Sequence, residues 1–225
     1  IDEAEFDQKL MKIAEFERTL SDNNMIIVKL WFHLPQVVQK KRLEQDAKVS
    51  KFKKSPLLEK FSKSYARFAA VSERALRLTD TGHAAWHIIE ASDPNYRDIA
   101  AGNAIIDKLR DNLGNNEWVG KGTVSNDDVE PERAGLKAIN DILQSPSSAG
   151  TVLDAVDLSL KLSKPEYRAQ LAEQQSRVHR LSWEMYHQKR NALLLFEGWD
   201  AAGKGSAIRR VTSAMDARLY RVIPV

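Results

Sequence analysis

The chain has 225 residues, of which 43% are hydrophobic and 29% charged, and its formal net charge is +3 at pH 7. These values are typical of a globular protein with one or two domains and a real core. No run approaches the ~20 apolar residues of a membrane span. The absence of cysteine excludes disulfides and thiolate chemistry and agrees with a cytoplasmic protein. The small positive charge permits a polyanionic ligand without requiring one.

The first predicted elements are a helix, a strand and a second helix. Apolar residues recur with helical spacing over residues 2–20, and the DNN sequence at 22–24 ends this helix. Residues 25–32 form a nearly continuous apolar run. This run predicts a strand buried on both faces, as in a parallel sheet, although a short buried helix is the alternative. Pro35 opens a helix that we expect to end near Asp46.

A basic run, KVSKFKK, occupies residues 48–54. One interpretation is a solvated segment between helices, and the other is a lid that carries cations over a phosphate chain. After Ser55-Pro56 we expect a long amphipathic helix. Its apolar stripe contains Leu58, Phe61, Tyr65, Phe68, Ser72 and Ala75.

Residues 86–90, WHIIE, predict a second buried strand, and Asp93-Pro94 leads into a helix with Ile99, Ile106, Leu109 and Leu113 on one face. Residues 114–150 contain clusters of Gly, Asn, Asp, Ser and Pro, which indicate a linker with one short helix at 134–143. Ser163 and Glu166 then form a predicted capping box, followed by a helix to about Arg190.

The sequence NALLLFEGWDAAGKGS at 191–206 predicts a buried strand at 192–196, a glycine-rich turn and the start of a helix. Gly198 and Gly203 are separated by four residues and Lys204 follows, which is the pattern of a phosphate-binding loop. Backbone N–H groups in such a turn and at the helix start bind anions, and the lysine contacts a terminal phosphate. The usual Ser or Thr after the lysine is Gly205 here, and Ser206 comes one residue later.

Asp200 lies within this turn, where a carboxylate would repel a phosphate. It would be useful there if it held Mg²⁺ or oriented an acceptor, and the alternative is a turn residue or helix cap. Arg209 and Arg210 lie off the apolar face of the following helix. They are either additional phosphate ligands or solvated arginines. Residues 219–225 predict the start of another strand.

The sequence FEGWDAAGKGSAIRRVT resembles the phosphate loop of the family 2 polyphosphate kinases. The upstream residues 157–164, DLSLKLSK, and the basic helix before the strand resemble the start of that family's domain. This resemblance implies an α/β fold with a P-loop kinase-like parallel sheet flanked by helices. It implies Mg²⁺-dependent phosphoryl transfer between inorganic polyphosphate and a nucleotide. It assigns Asp200 and Lys204 to catalysis and Asp200 to the metal. The phosphate-binding residues that we predict are Gly198, Ala201, Ala202, Gly203, Gly205, Ser206, Arg209 and Arg210.

The basic run also resembles the lid of that family, whose pattern is Lys-Arg-Trp-Lys-x-Ser-Pro. Here Ser50, Lys51 and Phe52 replace the first three residues of that pattern, and Lys53 and Lys54 follow. The resemblance assigns Lys51, Lys53 and Lys54 to a lid.

No acidic strand end follows the phosphate loop, and no phosphate loop precedes the lid. We therefore expect a fragment of a two-domain polyphosphate:AMP phosphotransferase that is inactive by itself. Residues 1–113 would be the C-terminal part of a first kinase-like domain, 114–150 a linker, and 151–225 the N-terminal part of a second domain. The alternative is a circular permutation in which 151–225 completes 1–113.

The expected reaction converts AMP and polyphosphate to ADP, and we expect a homo-oligomer that binds neither nucleic acid nor membranes. An ATP-dependent nucleotide or small-molecule kinase is one alternative, because it would use the same loop with another donor. A non-catalytic kinase-like module for residues 1–113 is another, since the lid pattern is altered. A nucleic-acid binder would need a basic stripe with stacking aromatic residues, which the sequence lacks.

Overall fold

The structure is a computed structural model that describes residues 2–49, 65–114 and 152–224, with side chains up to residue 45 in the first range. Nine elements follow one another in these residues. In chain order they are α1 (Glu3–Asp22), β1 (Ile26–His33), α2 (Gln36–Val49), α3 (Tyr65–Thr79), β2 (Trp86–Glu90), α4 (Pro94–Leu113), α5 (Lys164–His187), β3 (Ala192–Gly198) and α6 (Lys204–Thr212).

The three strands form one sheet in the order β2-β1-β3, and both strand pairs are parallel. His33 of β1 lies beside Glu90 of β2, and Phe32 lies beside Gly198 of β3. Because the strands share one direction, their carboxyl ends meet at the same edge of the sheet. In open α/β sheets this edge is where ligands bind.

The central strand is buried on both faces, as its apolar run predicted. All eight residues of β1 are buried. Its even-numbered side chains, from Ile26 to Phe32, pack in a cluster with residues of α4, α5 and α6. Trp31 belongs to a second cluster on the opposite face, with residues of α3, β2 and the segment 152–156. Helices on both faces of the sheet confirm the α/β class and exclude the short-helix alternative for residues 25–32.

Two helices begin as their sequences predicted. The Asp93 side chain accepts a hydrogen bond from the Tyr96 backbone N–H at 2.7 Å, with Pro94 in the first turn of α4. At the start of α5, the Ser163 hydroxyl accepts from the Glu166 N–H, while the Glu166 carboxylate accepts from the Ser163 N–H. This capping box satisfies two N–H groups that the helix itself cannot pair.

Strands from both segments of the chain share the sheet, because β3 from the second segment pairs with β1 from the first. This pairing is the arrangement that the circular-permutation alternative predicts. The division into domains at 113 and 151 stays a prediction.

The strand expected at 219–225 is wrong for residues 219–224, which form no strand. A strand needs a hydrogen-bonding partner, and Val222 and Ile223 are instead exposed. The lid residues Lys51, Lys53 and Lys54 and the predicted helix at 134–143 lie outside the described residues. No helix within the described residues is long and apolar enough to cross a membrane.

Candidate phosphate-binding site

A glycine-rich loop joins β3 to α6 at the carboxyl edge of the sheet. Gly198 ends β3 with a φ of 128°, and a Cβ at this position would overlap the backbone of Phe32 in the neighbouring strand. The Trp199 N–H donates to the Phe32 carbonyl at 3.2 Å and continues the pairing by one residue. Only glycine permits this conformation and this close approach, so Gly198 ties the loop to β1.

Two further residues of the loop adopt left-handed backbone conformations. Ala201 has a φ of 62°, which is unusual for a residue with a side chain. Gly203, the N-cap of α6, has a φ of 87°. A Cβ on Gly203 would also overlap the guanidinium group of Arg97 in α4. Glycine is therefore required at this position by a neighbouring side chain of the protein.

Several N–H groups of the loop and the first turn of α6 have no backbone acceptor among the described residues. They belong to Asp200, Ala201, Gly203, Lys204 and Gly205. The Ala202 N–H, in contrast, donates to the Trp199 carbonyl. Unpaired N–H groups at a helix N-terminus, together with the partial positive charge of that terminus, form an anion-binding arrangement.

The Lys204 ammonium lies over the loop. Its Nζ donates to the carbonyl of Gly198 at 2.6 Å and to that of Trp199 at 3.0 Å. Burial lowers the pKa of Lys204, and the negative charges of Asp200 and Glu197 oppose this effect. The ammonium therefore has two neutral carbonyl acceptors and two carboxylates near it, an environment from which it can bind a phosphate oxygen.

Asp200 lies in the loop, as predicted, and its influence on Lys204 places its carboxylate near the ammonium. No group of three or more acidic or histidine side chains suited to a metal ion occurs within the described residues. Mg²⁺ is commonly held by one or two carboxylates together with phosphate oxygens and water. One loop carboxylate beside a phosphate site fits that mode and does not form a complete protein cage.

Side chains from two helices bind three successive carbonyl groups of the loop. Gln39 of α2 donates to the Asp200 carbonyl at 3.5 Å, and Arg42 of the same helix donates to the Ala201 carbonyl at 2.9 Å. Arg97 of α4 donates to the Ala202 carbonyl at 3.3 Å. We call these donors (Gln39, Arg42 and Arg97) the carbonyl brace.

Arg42 also connects the loop to the end of β2. Its Nη2 donates to the carbonyls of Ala91 at 2.9 Å and Ser92 at 2.7 Å. The sequence analysis missed the whole brace. A signal existed for Arg97, since it lies four residues before Ala101 and therefore on the buried face of the predicted helix, where an apolar residue is expected. No comparable signal marks Gln39 or Arg42.

An aromatic stack covers the other side of the loop. The rings of Trp199 and Tyr65 are parallel within 8°, and their centroids lie 3.9 Å apart. Phe68 meets the Trp199 ring edge-on at 4.8 Å. Tyr65 and Phe68 belong to the first turn of α3, so this helix is packed directly against the loop.

The structure brings the loop residues of the predicted site together and places the two arginines later on the following helix. The residues from Gly198 to Ser206 form one turn and the start of one helix. Arg209 and Arg210 are exposed on α6, and Arg210 Nε donates to the Tyr167 hydroxyl at 3.0 Å. A Cβ on Gly205 would meet no atom within 4 Å. Its side of the helix is open space.

A comparison with protein families identifies the family of this chain. The family model of Polyphosphate kinase 2 covers residues 1–117 and 161–225. The chain belongs to the polyphosphate kinase 2 family. The match covers most of the chain and confirms the family that the loop sequence resembles.

Curated polyphosphate kinase 2 relatives are named as phosphotransferases. A Polyphosphate:AMP phosphotransferase of Pseudomonas aeruginosa is 36% identical over 228 residues, which cover all of this chain and 43% of the relative. One of Pseudomonas syringae pv. tomato is 35% identical and covers 99% of the chain and 42% of the relative. An ADP-polyphosphate phosphotransferase 2 of Rhizobium meliloti is 40% identical over 57 residues, 25% of the chain and 18% of the relative.

The chain therefore spans less than half the length of the two Pseudomonas relatives. No solved structure is significantly similar to it.

Proposed function

We propose that this polyphosphate kinase 2 chain binds inorganic polyphosphate at the loop 198–206 and serves the transfer of its terminal phosphoryl group to AMP, which gives ADP. The observation that carries the proposal is the set of unpaired loop N–H groups beside the Lys204 ammonium. The acceptor AMP follows the names of the two Pseudomonas relatives.

In the proposed mechanism the loop N–H groups bind oxygens of the terminal phosphoryl group. The Lys204 ammonium exchanges the carbonyls of Gly198 and Trp199 for a phosphate oxygen. A phosphate oxygen of AMP attacks the terminal phosphorus while the bond to the rest of the chain breaks. The products are ADP and a polyphosphate shorter by one unit. The protein contributes positioning and fixed positive charge, and no covalent enzyme intermediate is needed.

Asp200 is the residue that we propose for Mg²⁺, together with phosphate oxygens. Bound there, the ion would neutralise charge that develops on the transferred group. The negative charge of Asp200 also raises the pKa of Lys204 and so favours its protonated form. A cytoplasmic location and a homo-oligomer remain predictions.

The test measures ADP formed from AMP and polyphosphate, by the 225-residue chain and by any longer protein that contains it. Where wild-type transfer is detected, Lys204→Ala should reduce it by about 10³-fold or more, and Asp200→Asn by about 10²-fold. Lys161→Ala, a variant of an exposed lysine outside the loop, is the matched control. Replacing polyphosphate with ATP distinguishes the expected donor from the donor of an ordinary nucleotide kinase.

Binding of tripolyphosphate to the 225-residue chain, measured by calorimetry, tests the loop without requiring turnover. Lys204→Ala should weaken this binding, whereas Lys161→Ala should not. If Lys204→Ala binds tripolyphosphate as tightly as the wild type, the proposed site is wrong.

A further inference from the structure

Arg97 is a buried cation directly beneath the phosphate loop. Its side chain is 5% exposed, and its Nη1 contacts the Ala202 carbonyl at 3.3 Å. The same nitrogen occupies the space where a Cβ on Gly203 would lie. A buried arginine is costly unless its charge is paired and its N–H groups are bonded. Its position therefore calls for a structural or functional reason.

The guanidinium is held rigidly by the next residue in the chain. Arg97 Nε and Nη2 both donate to Oδ1 of Asp98, at 2.9 Å and 2.6 Å. The other carboxylate oxygen of Asp98 accepts from the Tyr167 hydroxyl at 3.3 Å and lies 3.6 Å from Arg210 Nε. Asp98 thus compensates the charge of Arg97 and fixes the direction in which Nη1 points.

Peptide geometry converts this contact into an orientation of the loop. The Ala202 carbonyl and the Gly203 N–H belong to one peptide unit, and no peptide bond in the described residues is cis. In a trans peptide the C=O and N–H bonds point in opposite directions. Since Arg97 holds the carbonyl on its own side of the loop, the Gly203 N–H points away from Arg97, and this N–H has no backbone acceptor.

The same geometry applies one and two residues earlier. Arg42 binds the Ala201 carbonyl and Gln39 the Asp200 carbonyl. The N–H that shares a peptide unit with the Asp200 carbonyl, that of Ala201, also lacks a backbone acceptor within the described residues. Gln39 and Arg97 therefore bind the negative ends of peptide dipoles whose N–H ends have no backbone acceptor within the described residues. The Ala202 N–H, which shares a peptide unit with the carbonyl that Arg42 binds, donates instead to the Trp199 carbonyl.

We infer that Arg97 and Gln39 are positioning residues of the phosphate site, which orient the N–H groups of Gly203 and Ala201 towards the anion by binding the carbonyls behind them. The inference rests on the proposed function, because it assumes that the loop binds phosphate. Neither residue is assigned a contact with the phosphate itself.

The first test measures tripolyphosphate binding by calorimetry to the 225-residue chain. Arg97→Gln removes the charge-assisted hydrogen bond to the loop, and the charge-neutral double variant Arg97→Gln/Asp98→Asn also avoids leaving Asp98 buried and unpaired. Both should weaken binding by about tenfold or more. Arg110→Gln, on the exposed last turn of the same helix, should bind as the wild type does.

The second measurement follows the loop amides directly. In ¹⁵N-labelled chain, tripolyphosphate should shift the amide resonances of Ala201 and Gly203 downfield. The double variant should lose the Gly203 shift at saturating ligand, which a mere decrease in stability would not cause. If Arg97 variants do not fold, Gln39→Met is tested in the same way, with the amide of Ala201 as the readout.

The outcomes separate the inference from the proposed function. Wild-type affinity and an unchanged Gly203 shift in a folded Arg97 variant, or unchanged affinity and an unchanged Ala201 shift in Gln39→Met if only that variant folds, overturn the inference. If Lys204→Ala loses binding in that same experiment, the phosphate site itself stands. If Lys204→Ala and the brace variants all bind normally, the proposed function fails first and the inference fails with it.

Discussion

Two lysine ammonium groups lie on the same sheet, one in its middle and one at its carboxyl edge. Lys29 of β1 is fully buried, and its Nζ donates to the Glu17 carboxylate at 2.8 Å and to the Thr79 carbonyl at 2.6 Å. The Trp86 ring lies 4.9 Å from the same nitrogen. Every side of this ammonium is occupied by the protein.

Lys204 is only partly buried, and its hydrogen-bond partners are two neutral carbonyls of a loop. Burial lowers the pKa of both lysines. Glu17 opposes this effect for Lys29 through a direct hydrogen bond, whereas Asp200 and Glu197 oppose it for Lys204 through charge alone.

The difference indicates what each cation can do. The charged groups of a buried ion pair are not accessible to a ligand. Removing one partner therefore lowers the free energy of unfolding. An ammonium bound to neutral carbonyls can exchange them for a phosphate oxygen, which carries more negative charge. We therefore expect Lys29 variants to lower the free energy of unfolding and Lys204 variants to weaken phosphate binding.

The largest effect on stability should come from Lys29→Met. The substitution leaves Glu17 buried without its partner, and we expect the free energy of unfolding to fall by about 3–5 kcal/mol. The double variant Lys29→Met/Glu17→Leu should recover most of this loss, because no unpaired charge remains. Chemical denaturation of the single and double variants measures both values.

The same variants should leave phosphate binding unchanged wherever the protein is folded. Lys204→Ala should behave in the opposite way. Its free energy of unfolding should change by about 1 kcal/mol or less, and tripolyphosphate binding should be lost. A Lys29→Met/Glu17→Leu protein that is stable but does not bind tripolyphosphate would contradict the division between the two lysines.

His33, at the carboxyl end of the central strand, should make stability depend on pH. Burial lowers the pKa of His33 to about 4, against the effect of Asp154. Between pH 6.5 and 4 the unfolded chain binds a proton that the folded protein does not, so stability falls as pH falls. The difference from the usual value of 6.5 corresponds to about 3 kcal/mol over this interval.

Denaturation of the wild type and of His33→Gln at several pH values checks this expectation. The difference between the two curves isolates His33 from other groups, including His87, whose pKa burial also lowers. The difference should widen towards acid pH and become constant below pH 4. Parallel curves from pH 7 to 4 would show that His33 is protonated equally in both states.

Gly205→Ala should have the smallest effect on stability and should distinguish the two glycines of the helix start. The added methyl group meets no protein atom, and alanine favours the helix more than glycine does. The free energy of unfolding should therefore rise by about 0.5–1 kcal/mol. Tripolyphosphate binding should nevertheless weaken if the phosphate chain occupies that space. Gly203→Ala, in contrast, should lose stability, because its Cβ would overlap Arg97.

The local elements of this fold were largely predictable. The apolar run around β1, the sequence WHIIE of β2, the Asp93 cap and the capping box at Ser163 each depend on neighbours in the sequence. The phosphate loop was predictable for the same reason, since its turn and its helix start lie within a few residues. The predicted strand at 219–225 failed because a strand also requires a partner, which the sequence pattern does not supply.

Long-range contacts were not predictable from the pattern. The carbonyl brace joins residues more than a hundred positions apart, as between Arg97 and Ala202. The partner of Lys29 was not predictable either, because a single charge within an apolar strand does not reveal that Glu17 will lie beside it.

By itself, the amino-acid sequence determined which stretches become helix, strand and loop, and that one loop carries the glycines and the lysine of the proposed phosphate site. These properties follow from backbone conformations and side chains within one or two turns of each other. Only the tertiary structure decided that β3 pairs with β1 in one sheet and that Gln39, Arg42 and Arg97 meet behind the loop. Such contacts depend on how apolar faces pack together, and packing places residues side by side regardless of their separation in the chain.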